Sequence, residues 1–121
     1  MIDLLPHVRD LLAPLGAGIE LSYSGIEAEM PLIVLSEVDN RATALTDGGE
    51  LYSEVTIQTD VYHEDEYEAR TLAREVAAKM TASGFRRSFS SPLGEDGLFR
   101  YTMRFSVTAD ETRKLLLYGG N

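Results

Sequence analysis

The densest run of side chains that could do chemistry is His63-Glu64-Asp65-Glu66, with Glu68 just beyond it. Carboxylates beside an imidazole suit a divalent cation, provided that their donor atoms converge on one point. Consecutive residues on a helix diverge by ~100° each, so these do not converge. No second histidine follows at a spacing that would pair two rings. The same residues make a good helix start, where negative charge complements the positive end of the helix dipole. His7, near Asp3 and Asp10, is the other histidine. A hydrolase would present its serine on a strained elbow, and no Gly-x-Ser-x-Gly occurs. Ser24-Gly25 and Ser83-Gly84 read instead as a turn and a helix stop. Gly16-Ala17-Gly18 precedes a strand pattern rather than a helix, and no phosphate-loop lysine follows it. The expectation is a protein with no catalytic residues, no metal ligands and no cofactor, and therefore not an enzyme.

Four arginines make the remaining constellation. Arg86, Arg87, Arg100 and Arg104 gather late in the chain, and Arg100 and Arg104 share an alternating face with Thr102. The plain reading is a solvated sheet face opposite Glu54 and Asp60, with cross-strand pairs worth ~0.2–1 kcal/mol each. The sharper reading is a basic surface that meets an acidic surface of a neighbouring subunit. In a ring that contact is heterologous, so two different patches must match. Both readings stand on the sequence.

The elements that must position these residues are bounded by length and composition. A chain of 121 residues fits one domain, with 110–121 as a candidate C-terminal arm. Hydrophobic residues are 44% and charged residues 26%, the balance of a globular domain rather than a disordered one. The absence of cysteine excludes disulfides, thiolate metal sites and a cysteine nucleophile. No apolar run approaches the ~18 residues of a membrane span. The N-terminal residues, with Asp3 and Pro6, lack the basic start and apolar run of a signal peptide, so the chain is expected to stay where it is made. Eleven Lys and Arg stand against 20 Asp and Glu, for a net charge of −9. That argues against wrapping nucleic acid, whose affinity comes from neutralised phosphates. It suits solubility, and it equally suits a wall past which DNA slides without sticking.

Periodicity places the elements. Leu4, Leu5, Val8, Leu11 and Leu12 predict a helix over 3–13, capped by Asp3 and stopped by Pro14 and Gly16. Residues 19–23 and 31–38 predict strands, the second with an apolar run that implies burial on both faces. Residues 39–50 read as a long polar connection. In 51–62, Leu51, Val55, Ile57 and Val61 share one face with Ser53 and Thr59, and Glu54, Gln58 and Asp60 take the other. A helix over 64–82 buries Ala69, Leu72, Ala73, Val76 and Met80, and Gly84 ends it. Strands follow at 85–90 and 98–108, with a turn across 91–97. Leu115-Leu116-Leu117-Tyr118 is a final turn, an edge strand or an arm. The order α-β-β-β-α-β-β predicts an α+β fold: a mostly antiparallel sheet of four to five strands with both helices on one face.

Four stretches resemble the tail-terminator and tail-completion proteins of long-tailed, siphophage-like bacteriophages and prophages. They are Pro31-Leu-Ile-Val-Leu, then Val55-Thr-Ile-Gln-Thr-Asp-Val-Tyr62, then an acidic, alanine-bearing helix closing with Met80-Thr-Ala-Ser-Gly84-Phe85-Arg86, and last Tyr101-Thr-Met-Arg-Phe105. Their order and spacing across 31–107 carry the resemblance. It implies a virion structural protein, a small subunit that forms a ring, commonly a hexamer, in solution or only on the tail. Such a ring sits at the head-proximal end of the tail, ends tube polymerisation and joins the head. The implied partners are the tail-tube protein and a head-completion or connector protein, with DNA passing through the lumen unbound and no membrane involved. Assembly is implied in the host cytoplasm. The family has no catalytic residues to carry over. Its inter-strand loops make ring contacts, which puts Asn40, Arg41, Asp47 and Glu50 forward as interface candidates. Arg100 and Arg104 join them from the arginine-bearing face, and Leu116 and Tyr118 from the C-terminal tail. The alternatives are a head-completion or neck protein of similar fold, and a non-viral small-ligand or regulatory binding module.

Overall fold

One long hairpin organises the sheet. β2 (Leu32–Leu45) and β3 (Leu51–His63) pair antiparallel from Leu32↔Tyr62 to Leu45↔Leu51. The computed structural model describes residues 2–21, 29–45, 51–95, 97–110 and 115–117. β5 (Leu98–Asp110) lies antiparallel on the other side of β3, and β4 (Arg86–Glu95) lies antiparallel beyond β5. β1 (Gly18–Glu20) runs parallel to β2 at the opposite edge. The order across the sheet is β1-β2-β3-β5-β4. β6 (Leu115–Leu117) pairs antiparallel with Thr108–Asp110 of β5, past the point where β4 stops at Arg86↔Ser106. The fold is the α+β arrangement that the element order predicts, with one parallel pair in a mostly antiparallel sheet.

The two α-helices have legible starts and stops. The Asp3 carboxylate accepts from the Leu5 N–H at 3.1 Å before α1 (Leu5–Leu12). A 3-10 turn over Ala13–Leu15 then closes on Gly16 at φ 82°. α2 (Glu66–Ala82) begins two residues later than the charge run suggests, because Asp65 is its cap. The Asp65 carboxylate accepts from the N–H groups of Tyr67 at 2.8 Å and Glu68 at 3.3 Å. At the far end Gly84 takes φ 97°, which lets Phe85 N–H reach Met80 O at 3.1 Å and Gly84 N–H reach Thr81 O at 3.0 Å. That paired closure is a Schellman motif, and it turns Phe85 into the core.

The predicted stripe of α2 is buried at all five positions, Ala69, Leu72, Ala73, Val76 and Met80. It meets Val55, Ile57 and Val61 of β3 and Met103, Phe105 and Val107 of β5, with Val8 and Leu12 of α1 in the same core. Burying each large side chain contributes ~1.5–3 kcal/mol. The run Leu32–Leu35 is buried on both faces, as its pattern implies. Ile33 and Leu35 join the main core, while Leu32 and Val34 pack with Tyr62 on the sheet's second face.

Three boundaries differ from the sequence reading. Residues 39–45 are strand rather than part of a long loop, so Asn40 and Arg41 belong to β2. Bulges between Glu37 and Asp39 and between Ala42 and Ala44 break the two-residue alternation there, which removes the pattern by which a strand is recognised. Asp47 and Glu50 lie outside the described residues. β4 continues through Ser91–Glu95, where a turn was expected, because Pro92 stands on an edge strand that tolerates a missing N–H. Gly97, at φ 81°, belongs to the turn that remains. The first strand spans only Gly18–Glu20, and residues 22–28 of that expected element and turn lie outside the described residues.

Candidate interaction surface

Strand alternation sends the odd positions of β3 and β5 under the helices and the even positions to the second face. Antiparallel register then stacks the second face in rows. Tyr62 lies beside Arg100, Asp60 beside Thr102, Gln58 beside Arg104, and Thr56 beside Ser106. β4 extends the rows with Leu93, Ser91, Phe89 and Arg86. β2 contributes Val34 opposite Asp60 and, past its first bulge, Arg41 opposite Glu54.

At the centre of this face is a buried carboxylate. Asp60 is 4% exposed. It accepts hydrogen bonds from Arg100 Nε at 3.0 Å, Thr102 Oγ1 at 2.5 Å and Gln58 Nε2 at 2.9 Å. Gln58 in turn accepts from Arg104 Nε at 3.0 Å, which links the two arginines through two side chains, Asp60 and Gln58. Each guanidinium also rests on a ring. Arg100 lies 5.7 Å from the centre of Tyr62, and Arg104 lies 5.6 Å from that of Phe89. Such placements add ~0.5–1 kcal/mol at exposed sites. The adjacent row is tied by Thr56 and Ser106, whose hydroxyls are 2.9 Å apart.

The predicted interface residues divide by location. Arg41, Arg100 and Arg104 share the second face. Arg100 is held at home by the buried Asp60 carboxylate. Arg41 is exposed and lies 3.3 Å from Asp39 and 3.8 Å from Glu54, an arrangement of surface charges worth ~0–1 kcal/mol. Arg104 is exposed, and its hydrogen bond goes to an amide rather than a carboxylate. Asn40 points to the helix side. Its amide nitrogen donates to Ile2 O and to Glu37 Oε1, both at 2.8 Å, so it ties the N-terminal segment to β2. Leu116 is opposite Ala109 in β6, and Tyr118 lies outside the described residues.

The charge run at 63–68 is spent on the helix start. His63 Nδ1 accepts from Asp65 N–H at 3.1 Å, Asp65 caps, and Glu66 holds Arg70 at 3.0 Å. Among the described residues no group of three His, Asp or Glu side chains is placed to hold a metal ion. Sequence reasoning placed Gln58 and Asp60 on the right face but missed that they bridge the two arginines. The available signal was an unbroken set of polar even positions facing each other in two strands. A scan against protein-family models finds no match to the chain, and a search of curated proteins finds no similar sequence.

Proposed function

We infer that this protein is a tail-terminator subunit of a long-tailed phage or prophage, which caps the finished tail tube as a ring and offers a joining surface to the head. The observation that carries the reading is the placement of the resembling stretches. They fall, in chain order, on β2, β3, α2 and β5, four of the elements that share the main core. The resemblance therefore follows one packed unit rather than scattered segments. The acidic balance of the chain, at −9, suits a lumen through which DNA moves without adhering.

Within this reading the exposed arginines of the second face, Arg41 and Arg104, meet an acidic surface of the next subunit. Arg100 serves to position the face from within. The test mixes the purified protein with purified tail tubes and, separately, with purified heads. Rings at one end of the tubes in negative-stain images are the expected result. The Arg41→Glu, Arg104→Glu double variant is expected to stay folded and to cap tubes poorly. A protein that is monomeric under all conditions and leaves the tubes bare sinks the reading. Binding to heads but not to tubes replaces it with a head-completion role.

A further inference from the structure

α2 leaves the outer edge of the sheet uncovered, and the gap is a trough on the helix side of β4. Two adjoining hollows of about 280 and about 220 Å³ run along it and share Arg70, Pro92 and Tyr101 as walls. Its helix wall extends from Glu66 to Ala77, about 16 Å at about 1.5 Å per residue. That length accommodates about five residues of extended chain. Ala73 and Ala77 keep the helix wall low, and Tyr101 and Met103 give the floor an apolar character. Phe99, substantially exposed, stands at the Glu66 end.

The charges are distributed along the trough. Arg70 is engaged by Glu66, the one acidic residue in the lining. Arg74 on α2 and Arg87 on β4 line the other hollow. Neither has a hydrogen-bond or ion-pair partner among the described residues. A positive trough is unexpected on a chain of net charge −9, whose field repels nucleic acid. With an apolar floor between the cations, its complement is a peptide rather than a phosphate backbone.

We propose that the trough between α2 and β4 docks a short acidic–apolar peptide segment of a partner protein. An acidic side chain meets Arg74 and Arg87, and an apolar side chain settles toward Phe99. The hollow of Arg74 and Arg87 lies across the sheet from the arginine rows, and the site does not depend on ring formation.

The experiment is fluorescence anisotropy on the full chain. Its probes are a labelled peptide with an acidic half and an apolar half, the same peptide with lysine for each acid, and a labelled single-stranded oligonucleotide. Saturable binding of the acidic peptide is expected, weakened about tenfold or more by Arg74→Glu with Arg87→Glu. The lysine peptide is expected to bind that double variant better than the parent. Arg104→Glu, on the opposite face, is expected to leave acidic-peptide binding unchanged. Arg74→Gln with Arg87→Gln repeats the measurement without introducing new carboxylates. Four results overturn the proposal: no saturable binding of the acidic peptide, equal binding of the acidic and lysine peptides, an equal loss in Arg104→Glu, or preference for the oligonucleotide. Self-association of the parent that the Arg74→Glu, Arg87→Glu variant abolishes also overturns it, since the occupant is then a second copy.

Discussion

Arg100 Nε stands 3.0 Å from Asp60 Oδ1 across the β3–β5 pair, although forty residues separate them in the chain. The pair is lopsided in its exposure. The Asp60 side chain is 6% exposed and that of Arg100 is 28% exposed, so the carboxylate depends on its donors while the guanidinium still reaches water. An ion pair of this kind is a poor source of net stability but a costly thing to break, because the surviving charge is left buried without its partner. The bond also marks the limit of Arg100 as a contact residue, since a partner would have to compete with Asp60 for it.

Arg100→Met is expected to destabilise the fold by ~3–5 kcal/mol, since it leaves the buried Asp60 carboxylate without its cation. Glu54→Ala, which removes a half-buried β3 carboxylate beside the exposed Arg41 of β2, is expected to cost ~0–1 kcal/mol. Urea denaturation of both variants makes the comparison. Equal small losses would show that Asp60 is solvated like any surface acid.

Thr59→Val is expected to stabilise the protein by about 1–3 kcal/mol. Thr59 is fully buried on the helix side of β3, and its hydroxyl has no hydrogen-bond partner among the described residues. Valine keeps the branched shape that suits a strand and removes the orphan polar atom. The midpoint of denaturation should rise with an unchanged slope. A lower midpoint would mean that the hydroxyl is satisfied, and the cavity around it should then be searched for a bound water.

Phe105→Ala is expected to cost ~3–5 kcal/mol, and Phe99→Ala less than about 1 kcal/mol. Both rings project from the same face of β5, six positions apart. Phe105 is 0% exposed within the main core, and Phe99 is 37% exposed at the end of the trough. Thermal or chemical denaturation separates them. A large loss for Phe99→Ala would show that its ring is covered at home and would remove it from the proposed docking surface.

Much of this architecture is legible in local sequence because it obeys local rules. The alternation from Leu51 to Tyr62 and from Phe99 to Thr108 assigns each side chain to a face. The stripe from Ala69 to Met80 needs only a 3.6-residue period to be read. Asp65 and Gly84 mark the ends of α2, because a carboxylate satisfies free N–H groups and glycine tolerates a positive φ. The tail shows where local rules stop. Leu115–Leu117 fits a turn, an arm or a strand equally until β5 supplies a ladder for it.

Tertiary structure decided the rest. Backbone hydrogen bonds carry no residue code, so nothing in the chain announces that β5 inserts between β3 and β4, or that β1 runs parallel to β2. The bulges in β2 hid seven residues of strand, because one extra residue resets the alternation by which strands are recognised. The arginines were visible as a set, but their division was not. Register put Arg100 within reach of Asp60 and gave Arg104 an amide instead. The path of α2 across the sheet left Arg74 and Arg87 lining one hollow beside the edge strand. The types and local order of these side chains were written in the sequence, whereas their partners were set by strand pairings tens of residues apart.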